Sequence, residues 1–546
     1  MRTALLRLVP ALAGIGVALL GCGDSGDDDV APSAGGSSAS ANGGNGGRAG
    51  SAGKGSGGVA GTNGKAGSSS GTSGAGSGGT SGSSSGRGGA SPGGTNSGGS
   101  SDPGGSGGDA GAPSAGSGGS GGNPTPGECG AIATFEDDRA PERELFVDAD
   151  ASGPGDGSSE DPFPDLESAL DAATPGTAVR IRPGTYDGGA FVSGVNGSAD
   201  APIWIGGVPG EERPVISGGD NAVQLSGVSF VVVHDLEITG QSSNGLNIDD
   251  RETASGETHD LVFRNLLIYD IGDGGNQDCL KLSGVDRYFV LDSEFRGCSG
   301  GSAIDHVGCH DGVVARNVFR DLGGNGVQSK GGSENIEITQ NRFFAAGERA
   351  VNIGGSTGFE FFRPALSTSE VNAEARDIRV VANVFRGGVS PIAFVGCVGC
   401  LVANNTIVEP EHWVVRILQE TTSEGEYEFA PASDGRFVNN VVYYALADLS
   451  THINVGGETA PETFEFSNNL WYASDAPENS EPNGLPVAET DAIYGEDPAF
   501  ANAAGDDFAI AAASPAAGAG IASPVDGDLN GDCYAEPPSI GAYEAN

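Results

Sequence analysis

Two rows of polar side chains recur along the middle of this chain at spacings that would bring them together. In short apolar-polar-apolar segments the central residue is Asn247, Lys281, Asp305, Gln328 or Asn352, and the last four lie 23 or 24 residues apart. A second row, two positions further along each segment, holds Asp249, Ser283, Val307, Lys330 and Gly354. If the segments are stacked strands, the side chains of a row point outward and lie about 5 Å apart. Such rows offer amides and carboxylates for binding and lysines for proton transfer.

A simpler interpretation of part of this pattern stays open. Lys281 and Asp305 on neighbouring strands also fit a surface ion pair, which contributes about 0–1 kcal/mol. His306 falls on a core-facing position, and His310 falls in a turn where we expect it to be exposed. The first row becomes apolar at Ala393, so any chemistry is expected in the earlier segments.

The polar rows belong to a repeat that restarts about every 22 to 25 residues where nothing intervenes. Its signature is an Asn followed two residues later by a bulky apolar residue, seen at Asn317, Asn341, Asn383, Asn405, Asn440 and Asn469, with looser copies at Asp235, Asn265 and Asp292. Each copy holds two or three short strands rich in Val, Ile and Phe, without a helical period. Self-similarity at this period indicates a solenoid whose units bury their core by stacking.

The composition of the repeat decides which solenoid is expected. Leucine-rich repeats would need Leu at nearly every core position, whereas these positions mix Val, Ile, Leu and Phe. We therefore predict an all-β fold, a single-stranded right-handed parallel β-helix. An Asn recurring at one corner fits this fold, because Asn tolerates left-handed backbone and its amide can bond to the next coil.

The flanks of the repeat predict its ends. Apolar residues at 163, 166, 169, 170 and 173 have a helical period, and Thr174-Pro-Gly176 would stop that helix. Such a helix would cap the open apolar end of the coil. We predict a β-helix domain over 128–546, with a capping segment over 145–186, coils over about 200–475 and a closing segment over about 490–546.

The N-terminal region predicts export and anchoring. Basic residues, an apolar run over 8–20 and Leu19-Leu20-Gly21-Cys22 look like a bacterial lipoprotein signal over 1–22, with Cys22 lipidated. An ordinary cleaved signal or an uncleaved anchor is the alternative. Residues 23–127 are almost only Gly, Ser and Ala, which predicts a disordered tether with a reach of about 50–60 Å. We expect an outer-membrane or cell-surface lipoprotein that meets the membrane through its lipid anchor alone.

Charge and cysteines restrict the partners. A formal net charge of −46 argues against nucleic acid, and a polyanionic substrate would need a locally basic groove or bridging divalent cations. Seven cysteines remain besides Cys22, so at least one is unpaired within the chain, and their pairing is not deducible. For Cys397 and Cys400, a local disulfide or two packed thiols is a better interpretation than a metal site.

Three long insertions follow the strands that carry the polar rows, at 253–259, 355–376 and 419–434. Insertions in a solenoid commonly project from the binding face. These bring aromatic residues, Phe359, Phe361, Phe362, Tyr427 and Phe429, with Trp413 nearby. Their rings either stack on sugars or pack against one another.

Residues 145–546 resemble bacterial right-handed parallel β-helix proteins of the pectate-lyase-like superfamily. The resemblance implies that, if catalytic, the protein removes a proton from C5 of a uronic acid with a Lys or Arg base. The segments Val327-Gln-Ser-Lys-Gly-Gly332 and Asn335–Asn341 are similar to the part of chondroitinase-B-like and alginate-lyase-like enzymes that carries the catalytic lysine, which implies Lys330 as the base. Those enzymes have a partner Arg on the next coil; the matching position here is near Gly354 and the nearest Arg is Arg349.

The same resemblance implies further site residues. Calcium-assisted pectate lyases cluster aspartates on nearby coils, which implies Asp249, Asp250 and Asp278 as calcium ligands, with Lys281 as an alternative base. From their places in the first polar row, and not from the resemblance, Asn247, Asp305, Gln328 and Asn352 are expected to contact substrate. The Gly-His-Gly of polygalacturonases is missing from the sequence. Two hypotheses follow for a protein expected to be a monomer: a polysaccharide lyase acting on an acidic glycan, or a non-catalytic glycan-binding or surface-interaction protein.

Overall fold

A computed structural model describes residues 129–251, 256–272 and 274–545. The predicted signal and tether, with Cys22, lie outside the described residues, so their roles stay predictions. Among the described residues, no helix has the length and apolar character needed to cross a membrane.

Three parallel sheets form the described body, and the chain visits them in turn. The first sheet has fourteen strands, Arg143–Val147, Thr177–Ile181, Ile203–Gly207, Ser229–His234, His259–Arg264, Asp286–Leu291, His310–Ala315, Ser333–Thr339, Ala375–Arg376, Arg379–Val381, Cys397–Val398, Leu401–Ala403, Arg436–Val438 and Glu465–Ser467. The second sheet has twelve, Thr185–Asp187, Val215–Ser217, Glu237–Thr239, Leu267–Ile271, Glu294–Cys298, Val318–Leu322, Arg342–Ala346, Val384–Arg386, Thr406–Val408, Val441–Tyr444, Leu470–Ala473 and Ile493–Tyr494. The third sheet has ten, Ala190–Ser193, Val223–Ser226, Leu246–Asp249, Leu280–Ser283, Ser302–Val307, Asn325–Lys330, Arg349–Gly354, Ser390–Val395, Val415–Leu418 and Ile453–Val455. The prediction of a right-handed parallel β-helix is confirmed.

The Asn of the repeat forms a ladder inside one corner of the coil. Asn341 illustrates it: its side-chain oxygen accepts the N–H of Asn317, at 2.9 Å, and its amide donates to Val314 O, at 2.8 Å. The ladder runs through Asn317, Asn341, Asn383, Asn405, Asn440 and Asn469. The predicted bond from each amide to the next coil is therefore present.

The left-handed backbone lies one residue before the ladder. Arg316 and Gln340, for example, have φ of 59° and 56°. Asn265 and Asp292, taken from the sequence as loose copies of the ladder residue, occupy this left-handed column instead. Left-handed backbone and a side-chain bond to the next coil, which the sequence predicted for a single Asn, are thus divided between adjacent positions.

The core of the coil is apolar and partly aromatic. The bulky residue of the repeat stacks between coils: the ring centroids of Phe319 and Phe343 are 4.6 Å apart, and those of Phe343 and Phe385 are 4.7 Å apart. Offset stacking of this kind adds to the free energy of burying each ring. The repeat therefore supplies both the ladder and the filling of the coil.

A short α-helix, Leu166–Asp171, covers one end of the core. Asp165 caps it by accepting the N–H of Ser168, at 2.8 Å, and Leu166 and Leu170 are buried in the core cluster. The capping helix is confirmed but is shorter than the apolar period suggested, because Phe163 pairs with Val147 in a bridge.

The closing segment packs along the outside of the second sheet. Phe508 and Ile540 contact outward-facing residues of that sheet, such as Val441. Short 3-10 helices occur at Phe359–Phe361, Pro461–Thr463, Pro477–Asn479 and Ala503–Gly505. A disulfide joins Cys129 to Cys533, across 404 residues of sequence.

A second disulfide joins Cys279 to Cys298. Cys309, Cys397 and Cys400 are buried free thiols. For Cys397 and Cys400, the alternative of two packed thiols is the one that the structure shows.

Candidate functional site

A groove of about 850 Å³ lies on the outer face of the third sheet. Its floor is made by the first four strands of that sheet with Val307 of the fifth, and its wall by residues 360–363 of the second insertion. We call these the floor and the wall. The insertion therefore borders the face that carries the polar rows, as the sequence predicted.

The strand register brings the predicted rows together. Asn247 pairs with Lys281, Lys281 with Asp305, and the row continues to Gln328 and Asn352. In the second row Asp249 pairs with Ser283 and Val307 with Lys330. Both rows also extend two strands toward the N-terminus, through Gln224 and Phe191 in the first row and Ser226 and Ser193 in the second.

Only the early part of the first row is open to solvent. Phe191 is 54% exposed, and Gln224, Asn247 and Lys281 are partly exposed. Asp305, Gln328 and Asn352 are 0%, 9% and 1% exposed. The expectation of one continuous outward row is therefore wrong for its second half. These side chains do point away from the core, but Lys281 and Lys330 enclose Asp305, and Gly355 of the second insertion lies against Gln328.

The chain after the strand Arg349–Gly354 covers this second half. A Cβ at Gly355 would lie 2.5 Å from Gln328 Nε2 and 3.4 Å from Lys330 Cδ. The segment is fixed by Glu374, which is 1% exposed and accepts the N–H groups of Gly331, at 2.8 Å, and Thr357, at 3.0 Å. Little of the Gln328 and Asn352 side chains is therefore accessible to a substrate in this arrangement.

The wall is held to the coil by Arg363. Its guanidinium donates to both oxygens of Asp286, at 2.7 and 2.6 Å, and to Gly308 O, at 3.0 Å. Burial opposes ionisation of Asp286, but hydrogen bonds from Arg363 and His310 hold the pKa of Asp286 well below its ordinary value. His310 is half-buried, with Nε2 3.2 Å from Gly332 O, so the expectation that it is exposed is wrong.

Aromatic residues of the two long insertions mostly pack together. Phe359 contacts Tyr427 and Phe429, with both pairs of ring centroids 5.6 Å apart, and Phe362 contacts Phe429 at 5.5 Å. Phe361 is the exception, because it is 60% exposed and lines the groove. Trp413 stacks on His412 outside the groove lining, at 3.9 Å.

Four charged side chains meet at the covered end of the floor. Lys281 Nζ lies 3.4 Å from Asp278 Oδ2 and forms a closer ion pair with Asp305, and Lys330 Nζ lies 3.6 Å from Asp305 Oδ2. We call Asp278, Lys281, Asp305 and Lys330 the charge cluster. His306, beside it, faces the core as predicted and is hydrogen-bonded to Ser329, at 3.1 Å.

The two carboxyl groups of the cluster differ in pKa. Burial and the negative charge of Asp305 raise the pKa of Asp278 to about 6. Burial also opposes ionisation of Asp305, but Lys281 and Lys330 lower the pKa of Asp305 below its ordinary value. The difference has a geometric cause: both ammonium groups adjoin Asp305, whereas only Lys281 adjoins Asp278.

The predicted bases are constrained by these contacts. Burial lowers the pKa of Lys281, but Asp305 and Asp278 outweigh it and raise that pKa above its ordinary value, which keeps Lys281 protonated and unsuited to be a base. Lys330 is 13% exposed and lies outside the groove lining. Arg349 pairs with Glu420, at 2.7 Å, and is also outside that lining. The structure thus brings Lys281 and Lys330 to the carboxylate of Asp305, whereas Arg349 bonds to Glu420 and to Asn352.

The predicted calcium ligands do not converge. Asp249 accepts hydrogen bonds from Gln224 and Ser226, both at 2.9 Å, and Asp278 lies beside an ammonium group. Asp250 lines the groove and is 8% exposed. Within the described ranges, no three Asp, Glu, His or Cys side chains are grouped as metal ligands. This donor set does not fit calcium.

Sequence reasoning missed half of the groove. The earlier floor residues had a signal, because Val223-Gln-Leu-Ser226 has the same pattern as Leu246-Asn-Ile-Asp249. Arg251, Glu360 and Arg363 of the lining had no periodic signal, since they lie in turns and insertions. Phe361 was named among six aromatic residues, but nothing in the sequence distinguished it.

No protein-family model and no curated protein sequence matches this chain. Solved structures with a similar fold include the pectate lyase Pel9A, at 16% identity and a TM-score of 0.49, covering 75% of this chain and 98% of that one. An alginate lyase from Paenibacillus sp. is 16% identical with a TM-score of 0.37, covering 58% and 99%. A lacto-N-biosidase from Eubacterium ramulus is 15% identical with a TM-score of 0.38, covering 64% and 68%. Because these identities are so low, the assignment of a β-helix rests on the three parallel sheets of this protein, and the assignment of the candidate site rests on the residues that line its groove.

Proposed function

We propose that this protein binds a polysaccharide in the groove between Phe191 and Phe361. One observation carries the proposal: these are the two most exposed large apolar side chains among the described residues, and both line the same groove. Exposed rings bordering a polar floor suit sugars, which present apolar C–H faces together with hydroxyl groups.

The floor matches a linear chain of hydroxyl-bearing units. Strands of the sheet are about 4.8 Å apart, so the four floor strands present polar groups at regular intervals along the solenoid axis. Gln224, Asn247 and Ser283 offer uncharged donors and acceptors in this order. A polysaccharide lying along the rows would meet one such group at each strand.

The charges of the groove are balanced. Arg251, Lys281 and Arg363 face Asp249, Asp250 and Glu360. Lys281 and Arg363 are 17% and 12% exposed and held by close carboxylates, whereas Arg251 is 41% exposed and lies 4.0 Å from Glu257. A carboxylate of an acidic sugar would therefore bind best at Arg251.

A second candidate function is β-elimination at a uronic acid. It is favoured by the placement of Lys281 in the floor and Lys330 behind it, joined through Asp305. In that reaction Lys281, being protonated, would neutralise the substrate carboxylate, and Lys330 would have to act as the base from beneath the covering segment. Binding without catalysis needs no such movement and is the conclusion that we prefer.

Anchoring through Cys22 on the outer membrane or cell surface would hold this groove outside the cell. Its support is the lipobox-like segment Leu19–Cys22. Metabolic labelling with a fatty acid should mark the wild type and not Cys22→Ser; labelling of both would contradict the anchor.

Binding is tested by titrating the protein with polygalacturonate, alginate and neutral β-linked glycans in a calorimeter. We expect Phe361→Ala and Phe191→Ala each to weaken binding about tenfold, or about 1.4 kcal/mol. Tyr494→Ala, which removes another exposed ring outside the groove lining, should leave affinity unchanged. Equal affinities for all three variants and the wild type would refute the site.

Elimination is tested with the same polymers by following the absorbance of unsaturated products. Loss of product with Lys330→Ala and with Lys281→Ala would support the second function. Absence of product from the wild type, or an unchanged rate in Lys330→Ala, would exclude elimination based on Lys330.

A further inference from the structure

We infer that the groove binds the end of a glycan chain and not an internal segment. This inference rests on the proposed function and adds the class of ligand to it. The groove is open where the floor begins, at Phe191, and closed where the first polar row reaches Asp305.

The exposure along the first row locates the closed end. Phe191, Gln224, Asn247 and Lys281 line the groove, and the next residue, Asp305, is completely buried. In an unobstructed β-helix the row would continue as a furrow along the whole sheet, which has six more strands beyond Lys281. Here the first row leaves the groove lining after four strands, and the second row leaves it after five, at Val307.

The obstruction is built from tightly bonded parts. Glu374 joins the two insertions, because it accepts the hydroxyl of Thr357, at 2.7 Å, and also the hydroxyl of Thr421. The rings of Phe359 and Phe362 pack against the second of these insertions, and Phe362 is 5% exposed. A carboxylate with several hydrogen bonds and an aromatic cluster make this end a fixed boundary.

The sides of the closed end are also fixed. A Cβ at Gly308 would lie 2.6 Å from Arg363 Cβ, so the wall touches the backbone of the coil. The backbone N–H of Arg363 donates to Gly331 O, at 3.0 Å. The wall is therefore in direct contact with the coil at this end of the groove.

At the opposite end, the part of the chain that the structure describes forms no such boundary. Phe191 lies on Ala190–Ser193, which is the terminal strand of the third sheet. A bound glycan can therefore leave the groove past Phe191, while its terminal sugar lies against Lys281, Ser283 and Glu360.

The ratio of protein to polymer at saturation tests this inference on the full chain. Polygalacturonate fractions of increasing chain length serve as the first probe, and alginate and neutral β-linked fractions as the next. Complex mass is measured by light scattering after size-exclusion chromatography. We expect one protein molecule per polymer chain at every length, and an affinity per unit mass of polymer that falls as length increases.

The outcomes separate the two levels of the argument. A number of bound protein molecules that grows in proportion to chain length would overturn end binding and leave the proposed function intact. No binding to any of the polymer classes would overturn the proposed function, and end binding with it. Polymers chemically capped at one end and then at the other identify which terminus enters the groove; full binding after capping both ends would also overturn the inference.

Discussion

Replacing Asp278 by Asn should stabilise this protein at neutral pH and remove part of its pH dependence. Asp278 is 1% exposed, and its carboxyl oxygen accepts the backbone N–H of Ser302, at 2.7 Å. An Asn at this position keeps an oxygen for that bond and carries no charge. The variant therefore imitates the protonated form of Asp278.

The magnitude follows from the raised pKa. Burial and the neighbouring Asp305 raise the pKa of Asp278 to about 6, against an ordinary value of 3.8. At about 1.4 kcal/mol for each pH unit, this difference corresponds to about 3 kcal/mol. Because the folded state binds this proton more tightly than the unfolded state, the stabilisation is fully present below about pH 4 and is lost as the pH rises through about 6.

The assay is urea unfolding followed by circular dichroism between about pH 4 and pH 8. At about pH 7.5 we expect Asp278→Asn to be more stable than the wild type by up to about 3 kcal/mol, and at about pH 4 the two should be nearly equal. The natural control is Asp305→Asn. Lys281 and Lys330 lower the pKa of Asp305 despite its burial, so that variant should be destabilised at neutral pH.

Two results would refute this reasoning. One is an Asp278→Asn variant less stable than the wild type at neutral pH. The other is a stability difference between variant and wild type that does not change over the acidic range. Either would mean that Lys281 stabilises the Asp278 carboxylate by more than its burial costs.

Three further predictions concern the scaffold and the wall. Asn341→Ala should lower the free energy of unfolding by about 2–4 kcal/mol, because it leaves buried groups of the ladder unpaired. The control is Asn479→Ala, which should have little effect in the same urea assay, because the Asn479 amide makes only a long bond of 3.5 Å to Glu478. Cys279→Ala should lower the free energy of unfolding by about 3 kcal/mol, since the Cys279–Cys298 bridge closes a loop of 19 residues. A wild-type protein that is equally stable under oxidising and reducing conditions would contradict this prediction. Arg363→Met should leave the fold intact but increase proteolysis within 355–376 and weaken glycan binding severalfold; identical cleavage rates would show that Arg363 does not hold the wall.

The architecture was predictable because its determinants are periodic and local. The Asn-x-apolar unit places one ladder residue and one core residue in each coil, and the alternation along Leu280–Ser283 or Ser302–Val307 separates core from outer face. Even the pairing of Lys281 with Asp305 and of Asp305 with Gln328 followed from counting residues. The left-handed backbone was predicted at the ladder residue and lies one residue before it. The sequence alone does not distinguish Asp292, which has left-handed backbone, from Asn317, which belongs to the ladder.

The site was predictable only where it coincides with this periodicity. Asn247 and Lys281 lie in the groove as their strands predict, whereas Gln328 and Asn352 of the first row are 9% and 1% exposed and Lys330 of the second row lies outside the groove lining. The cover depends on contacts such as Arg363 with Asp286, which are 77 residues apart, and Glu374 with Thr421, which are 47 apart. Nothing periodic links these positions.

The sequence by itself determined the coil, its register and the face on which polar groups gather, because each coil repeats the same local pattern and pairs with its neighbour through the backbone. Only the tertiary structure decided which of those groups a ligand can reach. The two insertions fold back over the later strands, and their own side-chain contacts set where the groove ends. Lys281 therefore lines the groove and Lys330 does not, although the sequence presents them as equivalent members of adjacent rows and their exposed fractions are similar, 17% and 13%.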